Sequence, residues 1–315
     1  MTRPGRVVQA VAGGAVSLVF LWVALRQVTV DDVARHLGQT RYDLLALAMI
    51  AGVAMTWARG VRWRYFFHPD MPPAGTLTSA TIVGYMANNV LPMRAGDVVR
   101  VYIVGQRTRV PVLTIMTTLI IERAFDIVVT LGMLLGVVAL VPLPAVIRHG
   151  ALVLCGLTIA VMSVLTALAM SSRGAHAEGW LRQVRDGARC LRPSSHLVPL
   201  LGWTGAAWAI NIVALWLALA AAGLRVPFGA ALAVLAFTGL ALAVPSGPGH
   251  VGTQELCIVL ALGLFGVSAS HALGFAVLLR LANVVPMTVA GLVALNLGPI
   301  SWGQVTRAAR AVPTA

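Results

Sequence analysis

The chain contains no lysine: all 23 of its basic residues are arginine, set against 10 carboxylates in 315 residues. Charged side chains make up only 10% of it, where a soluble domain carries about 25%. That deficit leaves too little polar surface to clothe a globule in water, and it excludes a soluble enzyme or binding module. Cysteine is scarce too. Cys155, Cys190 and Cys257 share no metal-ligand spacing, which excludes a disulfide framework and a zinc site. The chain has no Walker motif, no zinc motif and no G-x-S-x-G elbow. The short alternating segments of a transmembrane barrel are missing as well.

Hydrophobic residues fill the chain instead, at 59% of the total with a mean hydropathy of +0.88. Apolar runs fall near 7–25, 43–58, 76–92, 111–141, 149–171, 197–222, 228–245, 256–268 and 271–297. Several reach the roughly 17–25 residues that span a bilayer. The first follows "MTRPGR" and is too long for a signal-peptide core, so it reads as an uncleaved span. The sequence predicts an all-α polytopic membrane protein, one integral domain over 1–315. In a soluble protein a net charge of +13 would suggest nucleic acid. Between apolar runs the arginines instead set topology and meet anionic lipid headgroups, so no nucleic-acid partner is expected.

Arginine placement predicts the topology. Arg3 and Arg6, the cluster Arg59, Arg62 and Arg64, the loop 172–196, and Arg307 and Arg310 read as cytoplasmic. Segments 111–141 and 149–171 are full spans, so 76–109 must dip into the membrane and return to the same face. Segment 228–268 must do the same from the opposite face. The expected architecture is about six full spans plus two oppositely oriented re-entrant helical hairpins, inverted-repeat-like. Its halves lie near 43–171 and 197–297, and the Arg-rich loop reads as a short amphipathic segment on the membrane surface. Both termini are expected in the cytoplasm.

Each hairpin is broken by polar residues: "NNVLPMRAGDVVR" at 88–100 and "VPSGPGHVGTQE" at 244–255. Non-helical backbone at membrane depth survives only inside protein or beside water, so the two breaks are expected to face one polar cavity. Pro92 and Pro245 would stop the entering half-helices; Gly96, Gly247, Gly249 and Gly252 would allow tight turns. The half-helix N-termini that follow suit an anion such as phosphate. Asp97 and Glu255 fall in those first turns, as site residues or as caps. Asn88 and Asn89 contact a substrate or satisfy freed backbone, and His250 reads as a turn residue. In "IIERAFD", Glu122 and Asp126 share a helix face. Arg123 and Arg280 lie roughly 20 Å and 13 Å into the bilayer at the α-helical rise. They are candidates to pair with Glu122, Asp126, Asp97 or Glu255, in a pathway or in a static buried network.

At these residues the sequence resembles the lysylphosphatidylglycerol synthase transmembrane family, also described as flippase-like. The resemblance rests on Pro92, Arg94, Gly96, Asp97 and Arg100, on Glu122, Arg123 and Asp126, and on Pro245, Pro248, Gly249, Gly252 and Glu255, followed by Arg280. His250 stands where the family pattern usually has glycine. The resemblance implies a flippase in a bacterial inner membrane, moving an anionic or polyprenyl-linked lipid between leaflets, with no cofactor and no metal. The arginines, Arg94 among them, would hold the phosphate. It implies no aminoacyltransferase domain in a chain ending at Ala315, hence no lipid synthesis. No nucleophile with an adjacent base is apparent, so a non-enzyme is expected. A non-transporting partner of a lipid-modifying enzyme, or a lipid-phosphate enzyme, are the alternatives.

Overall fold

The computed structural model describes residues 38, 40–90, 95–140, 145–170, 179–192, 195–241 and 252–297. Among them all regular structure is helical, because in hydrocarbon a helix satisfies its own backbone. In chain order the helices are α1 (Tyr42–Tyr65), α2 (Ala74–Val90), α3 (Ala95–Arg107), α4 (Val112–Leu140), α5 (Ala145–Met170), α6 (Trp180–Gly187), α7 (Leu197–Ala221), α8 (Phe228–Ala241), α9 (Thr253–Gly263) and α10 (Ala269–Leu297). Among the described residues, Tyr42–Tyr65, Leu197–Ala221 and Ala269–Leu295 are long and apolar enough to cross a membrane. Threonines within these helices donate to their own backbone four residues back, as Thr56 does to Gly52, Thr130 to Asp126 and Thr204 to Leu200. Their hydroxyls thus need no water.

Four of the apolar helices are short as far as they are described: α2, α3, α8 and α9 have 17, 13, 14 and 11 described residues, or about 25, 20, 21 and 16 Å of rise. They pack in pairs, α2 on α3 and α8 on α9. In order, α1–α4 and α7–α10 form two sets of matched length: 24, 17, 13 and 29 residues, then 25, 14, 11 and 29. The first helix of each set packs on the first of the other. The second helix of each packs on the fourth of the other, α2 on α10 and α8 on α4. Helix α5, which the sequence reading placed in the first half, has no counterpart in the second set.

The α2–α3 pair is held by backbone contact. Asn88 Oδ1 accepts the Gly96 N–H at 2.9 Å. A Cβ on Gly96 would collide with the Gly84 carbonyl oxygen, and one on Gly84 would collide with the stem of Arg100.

One reading needs correction. Arg59, Arg62 and Arg64 are not in a loop: α1 runs on to Tyr65, and Arg59 and Arg62 are buried. The described part of the Arg-rich segment packs against α4. It forms α6 and a 3-10 turn at Arg189–Leu191, and α6 clasps the start of α4. The Thr114 hydroxyl donates to the Gln183 carbonyl at 3.0 Å, and a Cβ on Gly187 would lie 2.6 Å from Thr117 Cβ. Beyond the turn, His196 Nε2 donates to the Cys190 carbonyl at 2.7 Å. The His196 ring stacks on His68 with centroids 4.0 Å apart and planes 6° from parallel, tying the α1–α2 elbow to the α6–α7 connection.

Two outcomes follow. Gly96→Ala should lower the melting point of the detergent-solubilised protein, by an overpacking cost of about 1–3 kcal/mol. Gly105→Ala should not, since its nearest neighbour would be 3.7 Å away. Second, burial and then the His196 ring hold the His68 imidazole below its ordinary value. The unfolded chain then binds more protons, so the stack's contribution is present above about pH 6.5 and declines as pH falls through that value. Melting between pH 7.5 and 5.5 should show that decline, and His68→Gln should reduce it.

Candidate functional site

Three pairs of side chains supply the centre of the molecule. Arg59 and Arg62 are one turn apart on α1, Asp97 and Arg100 one turn apart on α3, and Glu122 and Asp126 one turn apart on α4, so each pair shares a helix face. Together with Arg123 they form a continuous chain. Arg59 Nη1 donates to Asp126 Oδ2 at 3.1 Å, and Arg62 Nη1 donates to Asp126 Oδ1 at 2.8 Å. Arg62 Nη2 then reaches Glu122 Oε1 at 3.1 Å, and Arg100 Nη2 reaches Glu122 Oε2 at 2.9 Å. Arg100 Nη1 lies 3.8 Å from Asp97 Oδ1, and Arg123 Nη2 donates to both Asp97 oxygens, at 3.0 and 3.2 Å.

The side chains of Arg62, Glu122 and Arg100 are wholly buried. A buried charge is costly, and a one-sided loss of its partner more so. Here the signs alternate along the chain, and neutral groups complete the shell. Trp208 Nε1 donates to Asp126 Oδ1 at 3.3 Å, Tyr85 accepts from Arg59 at 2.9 Å, and the Arg100 guanidinium lies 4.2 Å from the Trp63 ring centroid. That last contact is in cation–π range.

A second, simpler pair lies in the other set. Arg280 Nε donates to Glu255 Oε1 at 2.6 Å, while Glu255 Oε2 accepts the Gly252 N–H at 2.7 Å. Glu255 is thus a cap and an ion-pair partner at once. Gly252 sits at φ +84°, a conformation that favours glycine. Asp97 and Glu255 are each the third residue of their helix, and Arg123 and Arg280 are each the twelfth of theirs. The Asp97–Arg123 and Glu255–Arg280 bridges therefore occupy the same places in the two sets. Three residues beyond those arginines stand Asp126 in α4 and Asn283 in α10.

A cavity of about 240 Å³ opens beside the charge chain, walled by α1 and α7–α10. Its polar lining is Arg59, Trp208, Asn211, Thr238, Gln254 and Asn283. None of the site candidates named one by one from the sequence lines it, though Gln254 belongs to the quoted break 244–255. Among them Arg100, Glu122, Arg123 and Asp126 join the chain with Asp97, while Glu255, Gly252 and Arg280 form the second pair. Asn88 pins Gly96, and Asn89 lies half-buried in the last turn of α2. Pro92, Arg94, Pro245, Gly247, Pro248, Gly249 and His250 lie outside the described residues.

Arg59 was missed because it sits in a basic cluster at the end of an apolar run. Asn283 could have been found, since it repeats the Arg-x-x-Asp spacing of Arg123 and Asp126 as Arg-x-x-Asn. Asn211 stands alone in "AAWAINIVALW", and a lone polar residue in a span is itself a signal. Among the described residues no group of three His, Cys, Asp or Glu side chains is placed to hold a metal ion.

The sequence matches the family described as lysylphosphatidylglycerol synthase TM region over residues 10–291. It is also similar to a curated protein, "Glycosyltransferase AglD" of Haloferax volcanii, at 33% identity over 138 residues, which is 43% of this chain and 22% of that protein. The match thus spans about a fifth of that relative's length.

Arg62→Ala would leave Glu122 and Asp126 short of a cation in a dry interior. It should cost about 3–5 kcal/mol, read as a large fall in melting point or in folded yield. Arg123→Ala should cost far less, on the order of 1 kcal/mol or below, because its bridge to Asp97 is about a third exposed. Equal melting of the two variants would remove the central weight assigned to Arg62.

Proposed function

The chain belongs to the lysylphosphatidylglycerol synthase TM region family and is a multi-pass membrane protein; from that premise we propose that it is a lipid flippase. The polar headgroup would cross through the cavity beside Arg59 while the tails stay in the bilayer. The observation that carries this reading is the cavity itself: a polar lining, including a cationic side chain, in walls built from apolar helices. Such polar groups inside a membrane protein are costly and commonly mark a pathway.

The two matched helix sets support a transporter arrangement. We read α1–α4 and α7–α10 as oppositely oriented copies, with α2–α3 and α8–α9 as re-entrant hairpins from opposite faces, a plan suited to alternating access. The bridges Asp97–Arg123 and Glu255–Arg280 would then be matched latches, one for each half. The Arg-rich α6 segment and both termini would face the cytoplasm of a bacterial cell, by the bias of arginines toward that side. The arginines near the cavity would hold a lipid phosphate, and polyprenyl-linked or anionic lipids fit that description.

A second reading has one observation in its favour. The Haloferax volcanii relative is named a glycosyltransferase, and the match covers 22% of it. A membrane region of this kind working beside a lipid-modifying enzyme, without moving lipid, would explain that. Direct catalysis fits less well, because among the described residues the lining of the cavity includes no carboxylate to act as a base.

Proteoliposomes with labelled anionic phospholipid, polyprenyl-phosphate sugar or aminoacylated lipid in the inner leaflet would separate these readings. Wild type should expose at least one of them to a membrane-impermeant reagent. Gly52→Phe, which projects into the cavity from α1, should slow that by about tenfold or more while melting normally. Folded wild type that moves none of the lipids, but co-purifies with a lipid-modifying enzyme, would replace the flippase with the partner.

A further inference from the structure

Resting on the flippase reading, we propose that the cavity selects a monoanionic phosphodiester lipid whose headgroup is uncharged and hydroxyl-rich, and that it rejects cationic headgroups. Among the described residues the charge chain contains four arginines (Arg59, Arg62, Arg100, Arg123) against three carboxylates (Asp97, Glu122, Asp126). Four against three leaves one positive charge within it, where uncompensated charge is expensive. Of the two terminal arginines, Arg123 holds both oxygens of Asp97 and is 34% exposed. Arg59 is 8% exposed, lines the cavity, and has a buried Nε without a hydrogen-bond partner among the described residues. A single negative charge in the cavity would complete the alternation at that end.

Among the described residues no aspartate or glutamate lines the cavity to meet a cation. The nearby carboxylates have both oxygens engaged: Asp126 by Arg59 and Arg62, Glu122 by Arg62 and Arg100, Asp97 by Arg123, and Glu255 by Arg280 and the Gly252 amide. An ammonium-bearing headgroup would lose its hydration and face Arg59, a like-charge encounter that costs affinity.

Asn211, Gln254 and Asn283 are carboxamides, which both donate and accept, as hydroxyls do. Asn211 and Gln254 are half-buried and form no side-chain hydrogen bond among the described residues. Asn283 Nδ2 donates to the Leu279 carbonyl at 2.8 Å, and its Oδ1 points toward Gly52, 4.0 Å from where a Cβ there would stand. The Thr238 hydroxyl gives its proton to the Val234 carbonyl at 2.6 Å, keeping its lone pairs as acceptors. The position of Asn283 gives this lining its meaning. It is the fifteenth residue of α10, as Asp126 is of α4. Where the first set has a carboxylate facing Arg59, the second presents a neutral amide to the cavity, and the ligand's phosphate supplies the missing charge. At about 30 Å³ per water, 240 Å³ is space for on the order of eight waters. That is room for one small polyol or one sugar ring.

The test is lipid binding by the full chain in nanodiscs, read by native mass spectrometry, beside transport in proteoliposomes. The probes are phosphatidylglycerol and phosphatidylinositol (monoanionic, with uncharged polyol head alcohols), lysylphosphatidylglycerol (cationic), and soluble glycerol phosphate and inorganic phosphate. Wild type should bind phosphatidylglycerol or phosphatidylinositol about tenfold or more tighter than the lysyl lipid. Asn283→Asp, which places a carboxylate there, should reverse that preference, and Gln254→Ala should weaken phosphatidylglycerol and phosphatidylinositol more than the lysyl lipid. Binding of the soluble phosphates as tight as that of the lipids would overturn the lipid assignment. Equal or tighter binding of the lysyl lipid by wild type, or an unchanged preference in a folded Asn283→Asp, would overturn the charge argument. Selective binding without transport would sink the flippase reading and leave this site standing. Transport without selectivity would do the reverse.

Discussion

One guanidinium shared between two carboxylates holds the centre of this protein. Arg62 donates to Asp126 and Glu122 at once, with no solvent exposure of its own side chain. In that setting only arginine will serve: its planar fork offers several donors in fixed directions, whereas a lysine ammonium is a hydrated point charge. The bridge fixes α1 against α4, and Arg100 extends it to α3 from the other Glu122 oxygen. Removing any middle member strands a charge in a dry interior, so the helices are specified relative to one another more tightly than apolar packing between lipid-facing helices would specify them.

That constraint also limits what the protein can do. The carboxylates of the chain are already committed to arginines, so none of them stands free at the cavity to accept a proton. Arg59 alone belongs to both the chain and the cavity wall. Whatever enters the cavity therefore meets the cationic end of an otherwise internally matched network, together with neutral amides. On the proposed function, the network is a scaffold in its middle and a recognition element at one end.

Much of the fold was legible in the sequence, because the length of an apolar run is set by the thickness it must bury. Segment 111–141 became Val112–Leu140, and 271–297 became Ala269–Leu297. The charged candidates were legible for a similar reason: Glu122, Arg123, Asp126 and Arg280 sit deep in apolar helices, where charge demands a partner. Arg59 and Arg62 were not legible. They lie at the end of a run beside Arg64 and read as an inside-positive loop. Only partners 60 and more residues away, Glu122 and Asp126, reveal that they are interior. Asn211 carries no charge and no motif, so only the walls around it show that it faces a shared space, whereas Gln254 falls in the second quoted break, 244–255, which was expected to face a polar cavity.

The two helix sets divide this work unequally. The third and twelfth positions keep an acid–arginine bridge in both. At the eleventh and fifteenth positions the first set has Glu122 and Asp126, while the second has Leu279 and Asn283. Without carboxylates at those two positions, the second set shows no counterpart of the ion network among its described residues, and the cavity lies beside α10. The matched bridges make the two sets alike, and these two positions make them different in chemistry. A protein built this way can be rigid on one side of its centre and receptive on the other, without any change in the length or order of its helices.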